Sequence, residues 1–169
     1  MGIQISRIRL PFRGLDELRA EARAEGHNFM ERLANEWQSG TNRFDAPGEM
    51  LCGYLENGLL VAVGGLNHDP FAGRADVGRI RRVYVRPAWR GKGIGTALVS
   101  ALINEARQSF ACIRLRAENP SAARLYERLG FEPIADADAT HILIFDSAAY
   151  GIGAEGCRFA AEKQCDDFV

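Results

Sequence analysis

The chain has 169 residues, enough for one domain that buries a single core. With 47% hydrophobic residues, 25% charged residues and a formal net charge of −1, its composition is that of a water-soluble globular protein. Near-neutral balance argues against a general nucleic-acid binder, which needs a strongly basic surface, and no stretch is apolar for long enough to span a membrane.

The first residues, MGIQISRIRLPFRG, lack the apolar core of a signal peptide, so a cytoplasmic location is expected. Ile3 to Leu10 alternates apolar and polar residues and predicts a half-buried strand. Leu18, Ala22, Phe29, Leu33 and Trp37 recur at threes and fours between Leu15 and Trp37, a helical pattern that Gly26 divides in two. Ser39 to Glu49 has loop composition. Asn57-Gly58 between two apolar runs predicts a tight hairpin joining strands Leu51 to Glu56 and Leu59 to Asn67. A third strand, Ala75 to Val85, ends at Pro87. Ile94, Ala97, Leu98, Ala101, Leu102 and Ala106 then mark one helix face.

Cys112 to Ala117 is a short strand. Asn119 as N-cap, Pro120 as first helical residue and Gly130 as terminator bound the next helix. Phe131 to Ile134 and His141 to Phe145 close the pattern, and from Ser147 onward any period is lost. The order β-α-α-β-β-β-α-β-α-β-β predicts a single α/β domain over residues 1–146, with helices on a largely antiparallel sheet and a tail over 147–169. The four cysteines, Cys52, Cys112, Cys157 and Cys165, form no CxxC pair or Cys/His cluster, and no metal is expected.

The segment RPAWRGKGIGTALV, Arg86 to Val99, places Gly91, Gly93 and Gly95 between a strand and a helix. The first N–H groups of a helix lack intrahelical partners and sit in the positive end of its dipole, which makes such a turn a phosphate site. Side chains would keep an anion off those groups, and glycine clears the approach. Arg74 to Lys92 holds seven basic residues and one acidic residue, with Arg90 and Lys92 adding mobile charge at the turn. Gly91-Lys92-Gly93 breaks the P-loop pattern, and the meander upstream does not suit a Rossmann fingerprint. Arg90, Gly93 and Gly95 fit a third pattern, R/Q-x-x-G-x-G/A. On the strand before the turn, Val83 and Val85 share a face that Ile80 joins only if an extra residue is inserted near Arg81-Arg82, a β-bulge.

VYVRPAWRGKGIGTALV followed by ENPSAARLYERLGF resembles the two signature motifs of the GCN5-related N-acetyltransferase (GNAT) superfamily, over about a third of the chain. The resemblance implies acetyl-CoA as cosubstrate and direct acetyl transfer to an amine. It implies that the pyrophosphate sits on Arg90, Gly91, Lys92, Gly93, Ile94, Gly95 and Thr96, and that pantetheine pairs with Val83, Tyr84 and Val85, splayed from the strand at Cys112. It further assigns a CoA contact to Asn119, a general-acid role to Tyr126 and an oxyanion contact to the Val85 N–H.

Where some subfamilies carry a glutamate base, this chain has Arg114, leaving Glu118, His27, His68 and Asp76 as weak candidates for a base. Glu25, Glu31, Glu36 and Asp45 could recognise a cationic amine. The acceptor is read as a small-molecule or peptide amine, with no nucleic acid or membrane partner and a homodimer left open. Competing readings are a non-catalytic acyl-CoA-binding or regulatory module, or an acyltransferase for longer acyl-CoA or protein N-termini. Retention of both Asn119 and Tyr126 favours the enzyme.

Overall fold

A computed structural model describes residues 3–145; the expected tail, with Cys157 and Cys165, lies outside them. The elements are β1 (Ile3–Arg7), α1 (Leu15–Ala24), α2 (Phe29–Ser39), β2 (Met50–Glu56), β3 (Leu59–His68), β4 (Val77–Val85), a 3-10 turn (Pro87–Trp89), α3 (Ile94–Ala106), β5 (Cys112–Leu115), α4 (Pro120–Arg128), β6 (Glu132–Pro133) and β7 (His141–Ile144). Element types and order follow the sequence pattern throughout. The seven strands form one sheet in the order β1-β2-β3-β4-β5-β7-β6, antiparallel everywhere except between β4 and β5.

Alternation along the strands sends side chains to two cores. Cys52 and Tyr54 of β2 join Leu98, Leu102 and Ala106 of α3 on one face. Leu51 meets Leu18 and Ala22 of α1 and Met30 and Leu33 of α2 on the other. The sheet is therefore a middle layer, with α1 and α2 on one side and α3 and α4 on the other.

Three turns fix how the elements connect. Asn57 and Gly58 both have positive φ, 52° and 80°, and Glu56 pairs with Leu59, which is the two-residue hairpin expected from Asn-Gly. At the end of α1 the Gly26 N–H donates to the Arg23 carbonyl and the His27 N–H to the Ala22 carbonyl, a Schellman stop with Gly26 at φ 82°. The end of α4 repeats it: Gly130 N–H donates to Glu127 and Phe131 N–H to Tyr126, with Gly130 at φ 97°. The apolar contact that accompanies this motif is the Phe131 ring, edge-on to Tyr126 at 5.7 Å.

Strand ends differ from the sequence pattern where side chains or proline replace ladder bonds. β5 stops at Leu115 because the Ala117 N–H donates to the Thr140 hydroxyl instead of to a strand. β6 shrinks to two residues, the second being Pro133, which has no N–H to give. Among the described residues, no helix is long and apolar enough to cross a membrane, and no cluster of His, Cys, Asp and Glu is arranged to hold a metal.

Candidate active site

The expected bulge lies in β4. Val63 pairs with Tyr84 and Gly65 with Arg81, so Gly64 alone faces Arg82 and Val83. Arg82 takes the left-handed conformation, φ 58°, which costs a non-glycine residue about 1–3 kcal/mol. Its guanidinium is tied to α2 by two 3.0 Å hydrogen bonds from one nitrogen to the Glu36 carboxylate. The extra residue flips the phase of the strand: Ile80 before it and Val83 and Val85 after it pack toward α3, while Tyr84 turns to α1 and α2.

β4 leaves β5 soon after the two meet. Their parallel ladder covers only Val77, Gly78 and Arg79, opposite Cys112, Ile113 and Arg114. A cleft of about 790 Å³ opens where the strands diverge. The Arg86 N–H donates to Val61 of β3 at 2.9 Å, and peptide groups alternate along a strand, so the Val85 N–H and carbonyl point away from β3 into this cleft.

The glycine turn closes one end. Gly91 and Gly93 have φ of 74° and 78°, and a Cβ on either would project into open space. The first intrahelical bond of α3 runs from Ala97 N–H to Gly93, and no side chain caps the helix. The N–H groups of Ile94, Gly95 and Thr96 are thus left for an external acceptor. Gly95 serves packing as well, since a Cβ there would lie 3.1 Å from Leu125 of α4.

All the residues expected at the site line the cleft except Lys92, whose ammonium lies 4.8 Å over the Trp89 ring. Arg90 departs from the expectation of a mobile charge. It donates to Glu25 at 2.7 and 2.8 Å and to the Val85 carbonyl at 2.9 Å, and lies over the Tyr84 ring. The Arg90 hydrogen bonds, helped by one from the Tyr84 hydroxyl at 2.6 Å, pull the Glu25 carboxyl down to about 2.

On the opposite wall Asn119 caps α4, its side-chain oxygen accepting from Ala122 N–H at 2.9 Å. Tyr126, 8% exposed, is both core and cleft wall. Burial first, and the charge of Glu118 second, push its phenol up to about 12.

Arg114 is buried at the head of the splay, donating to Asp69 at 2.8 Å and to Asp136 at 3.1 Å. Arg79 reaches the same Asp69 at 3.4 Å. Burial alone would raise the Asp69 carboxyl, but the Arg114 hydrogen bond, the Phe71 N–H and both cationic charges carry it below its ordinary value. The position is an ionic knot rather than a base.

Of the candidate bases, His27 and Glu118 line the cleft. His68 does not; its ring nitrogens face the Ala75 and Pro47 carbonyls. Asp76 is bound by Arg74 at 2.6 and 2.9 Å, also away from the cleft. The acidic residues suggested for a cationic amine are likewise committed: Glu25 to Arg90, Glu31 to Arg19 and Arg23, Glu36 to Arg82, and Asp45 to Arg9 at 3.8 Å. Sequence reading missed this pairing. Its faint signal is the four-residue spacing of Arg82, Arg86 and Arg90, which meet Glu36, Glu21 and Glu25 in turn.

Comparison with known proteins matches this geometry. A crystal structure assigned as an acetyltransferase from Exiguobacterium sp. 255-15 superposes with a TM-score of 0.75 at 31% identity, covering 89% of this chain and 97% of that one. The structure of yncA from Salmonella typhimurium with its cofactor acetyl-CoA shares the fold at TM-score 0.62 and 21% identity, over 88% and 97% of the two chains. Mycothiol acetyltransferase of Nocardiopsis dassonvillei is 30% identical over 62% of this chain and 32% of its own. The chain spans between a quarter and a half of the curated relatives it matches, from 25% to 45% of their lengths. The model of the acetyltransferase (GNAT) family matches residues 13–131, through both glycine turn and α4, and the chain belongs to that family.

Proposed function

We propose that the protein is an acetyl-CoA-dependent N-acetyltransferase that passes the acetyl group directly to a primary amine. The observation that carries this reading is the splay of β4 from β5, with open helix N–H groups at one end and a buried phenol on the far wall. The open space over Gly91 and Gly93 suits a pyrophosphate approaching the Ile94, Gly95 and Thr96 N–H groups. Acetyl-CoA supplies the acetyl group as a thioester, which an amine can attack without a covalent enzyme intermediate.

Each residue then has a defined task. Val83 and Val85 offer β4's free edge to an extended pantetheine arm. The Val85 N–H donates to the carbonyl oxygen as negative charge builds there, and Arg90, bonded to the Val85 carbonyl, fixes the following peptide, Val85–Arg86. Tyr126 stays protonated through the neutral range and donates to the departing sulfur. A thiol's ordinary pKa of about 8.5 lies well below that of this phenol, so Tyr126 acts chiefly by hydrogen bonding to the developing thiolate. Acetyl-CoA titration by calorimetry, with CoA release assayed over a panel of amines, tests the reading; a folded protein that binds no acetyl-CoA overturns it.

A further inference from the structure

The wall of the cleft carries seven arginines and a single acid, Glu118. Some of this charge is already spent. Arg79, Arg82 and Arg90 are paired with Asp69, Glu36 and Glu25, and Arg116 donates to the Ala137 carbonyl. Arg81, Arg32 and Arg128 are different: among the described residues, none has a hydrogen bond or ion pair from its side chain, and of the three Arg128 lies apart on α4.

Placement separates Arg81 and Arg32 from the pyrophosphate turn. Arg81 precedes the bulge, about 10 Å along the sheet from Val85, since the bulge sets the four steps from Arg81 to Val85 against the three from Gly65 to Ala62 at some 3.3 Å per residue. Arg32 lies one helical turn before Glu36, on the α2 face that meets β4 at Arg82. Arg81 is half-buried, and its pKa is lowered by loss of hydration first and by the charges of Arg82 and Arg79, which the nearby Glu36 and Asp69 carboxylates do not fully offset. The carboxylates that would greet a polyamine at this end are bound to arginines already.

Resting on the acetyltransferase reading, we propose that the acceptor is an amine carrying an oxyanion, carboxylate or phosphate, on the same small molecule, and that Arg81 receives that group with Arg32 as the second cation. A guanidinium fork matches either oxyanion through paired N–H donors, and fixing that end aims the amine up the strand toward Val85. Polyamines and aminoglycosides are disfavoured by the same field.

Matched amine pairs test this: an amino acid against its amide, 2-aminoethyl phosphate against ethanolamine, and spermidine as the cationic arm. The anionic member of a pair is expected to show kcat/KM at least about tenfold above its neutral partner. Arg81→Gln should erase that preference mainly through KM, Arg81→Lys should restore part of it, and acetyl-CoA affinity should hold within about twofold. Independently of turnover, sulfate titrated into the CoA-bound protein as a probe anion should raise the melting temperature of the wild type and not of Arg81→Gln. Neutral or cationic amines turned over as well as anionic ones, or equal sulfate stabilisation of both proteins, would overturn the assignment while leaving acetyl transfer intact. Failure of the wild type to bind acetyl-CoA would bring down both readings.

Discussion

Arg90 and Glu25 face each other through two hydrogen bonds, at 2.7 and 2.8 Å, that join the glycine turn to the α1–α2 junction. Glu25 occupies the C-cap of α1, next to the Gly26 that stops the helix, and takes a third bond from Tyr84 of β4. One carboxylate thus ties together the glycine-turn end of the cleft, the bulged strand and the α1–α2 junction. The motif arginine serves here as a strut and as a donor to the Val85 carbonyl.

This strut has a pH signature. The Glu25 carboxyl is depressed to about 2 in the folded protein, against 4.5 for the free side chain. A depressed carboxylate adds stability that is complete above the unfolded pKa and fades as pH falls through the folded one. Glu25→Gln should therefore be less stable than wild type near neutrality, and the gap should narrow between about pH 4.5 and 2. Urea denaturation at a series of pH values measures it. A constant gap across that window would show that Glu25 does not act through its charge.

The glycine turn should be more sensitive than its arginine. Gly93→Ala forces a side chain into a left-handed conformation at about 1–2 kcal/mol, with no clash, since nothing lies within 4 Å of the new Cβ. The protein should stay folded with its melting temperature lowered by about 3–6 °C. Acetyl-CoA affinity should fall by about tenfold or more, because the methyl group enters the path to the α3 N–H groups. Arg90→Ala should lose less, since backbone groups supply most of the donors. Calorimetry on both variants gives the order; the reverse order would move the pyrophosphate from the turn to the guanidinium.

Tyr126 is held from two sides, by Phe131 in the Schellman turn and by burial. Tyr126→Phe keeps that packing and removes only the hydroxyl. Fold and acetyl-CoA affinity should survive, while kcat falls about 100-fold, the upper range for a hydrogen bond to a charged group. Wild-type kcat on the true acceptor would leave Tyr126 as core alone.

The ionic knot behind the site should matter to folding. Asp69 serves two guanidinium groups, and its side chain is fully buried. Asp69→Ala strips a shared carboxylate from Arg79 and Arg114 and should cost about 3–5 kcal/mol, as expected when one member of a buried ion pair is removed. Chemical denaturation measures the loss. A cost below about 1 kcal/mol would mean that Asp136 and the Asp138 carbonyl already satisfy both arginines.

Local rules made much of this legible. Asn-Gly announces its hairpin, Gly26 and Gly130 end their helices, and the phase of Ile80 against Val83 and Val85 locates a bulge that the backbone of Arg82 carries out. These signals are read within a few residues. Partner choice over distance is not: nothing local tells Arg90 to meet Glu25 65 residues away, or tells Asp69 to collect Arg79 and Arg114. Acidic residues on α1 and α2 look the same in sequence whether they wait for a substrate or are paired with arginines. Only the fold shows that they are paired, which removes them as free anions for a cationic acceptor.

No carboxylate or histidine of the cleft should prove an indispensable base. Arg114 fills the place where a glutamate would be the obvious choice, and its guanidinium is held by Asp69 and Asp136. Asp76 and His68 lie outside the cleft, and His27 and Glu118 remain within it. If the amine loses its proton to solvent before attack, the pH–rate profile follows the acceptor's own amine pKa, and less basic amines reach their plateau at lower pH. His27→Ala and Glu118→Ala should each keep activity within about tenfold of wild type, short of the 10²–10⁴ expected for loss of a general base. Glu118→Ala should also lower the Tyr126 pKa, because the neighbouring negative charge helps to raise it. A thousandfold collapse in either variant with acetyl-CoA binding intact would identify the base, and the pH profile of that variant would no longer move with the amine.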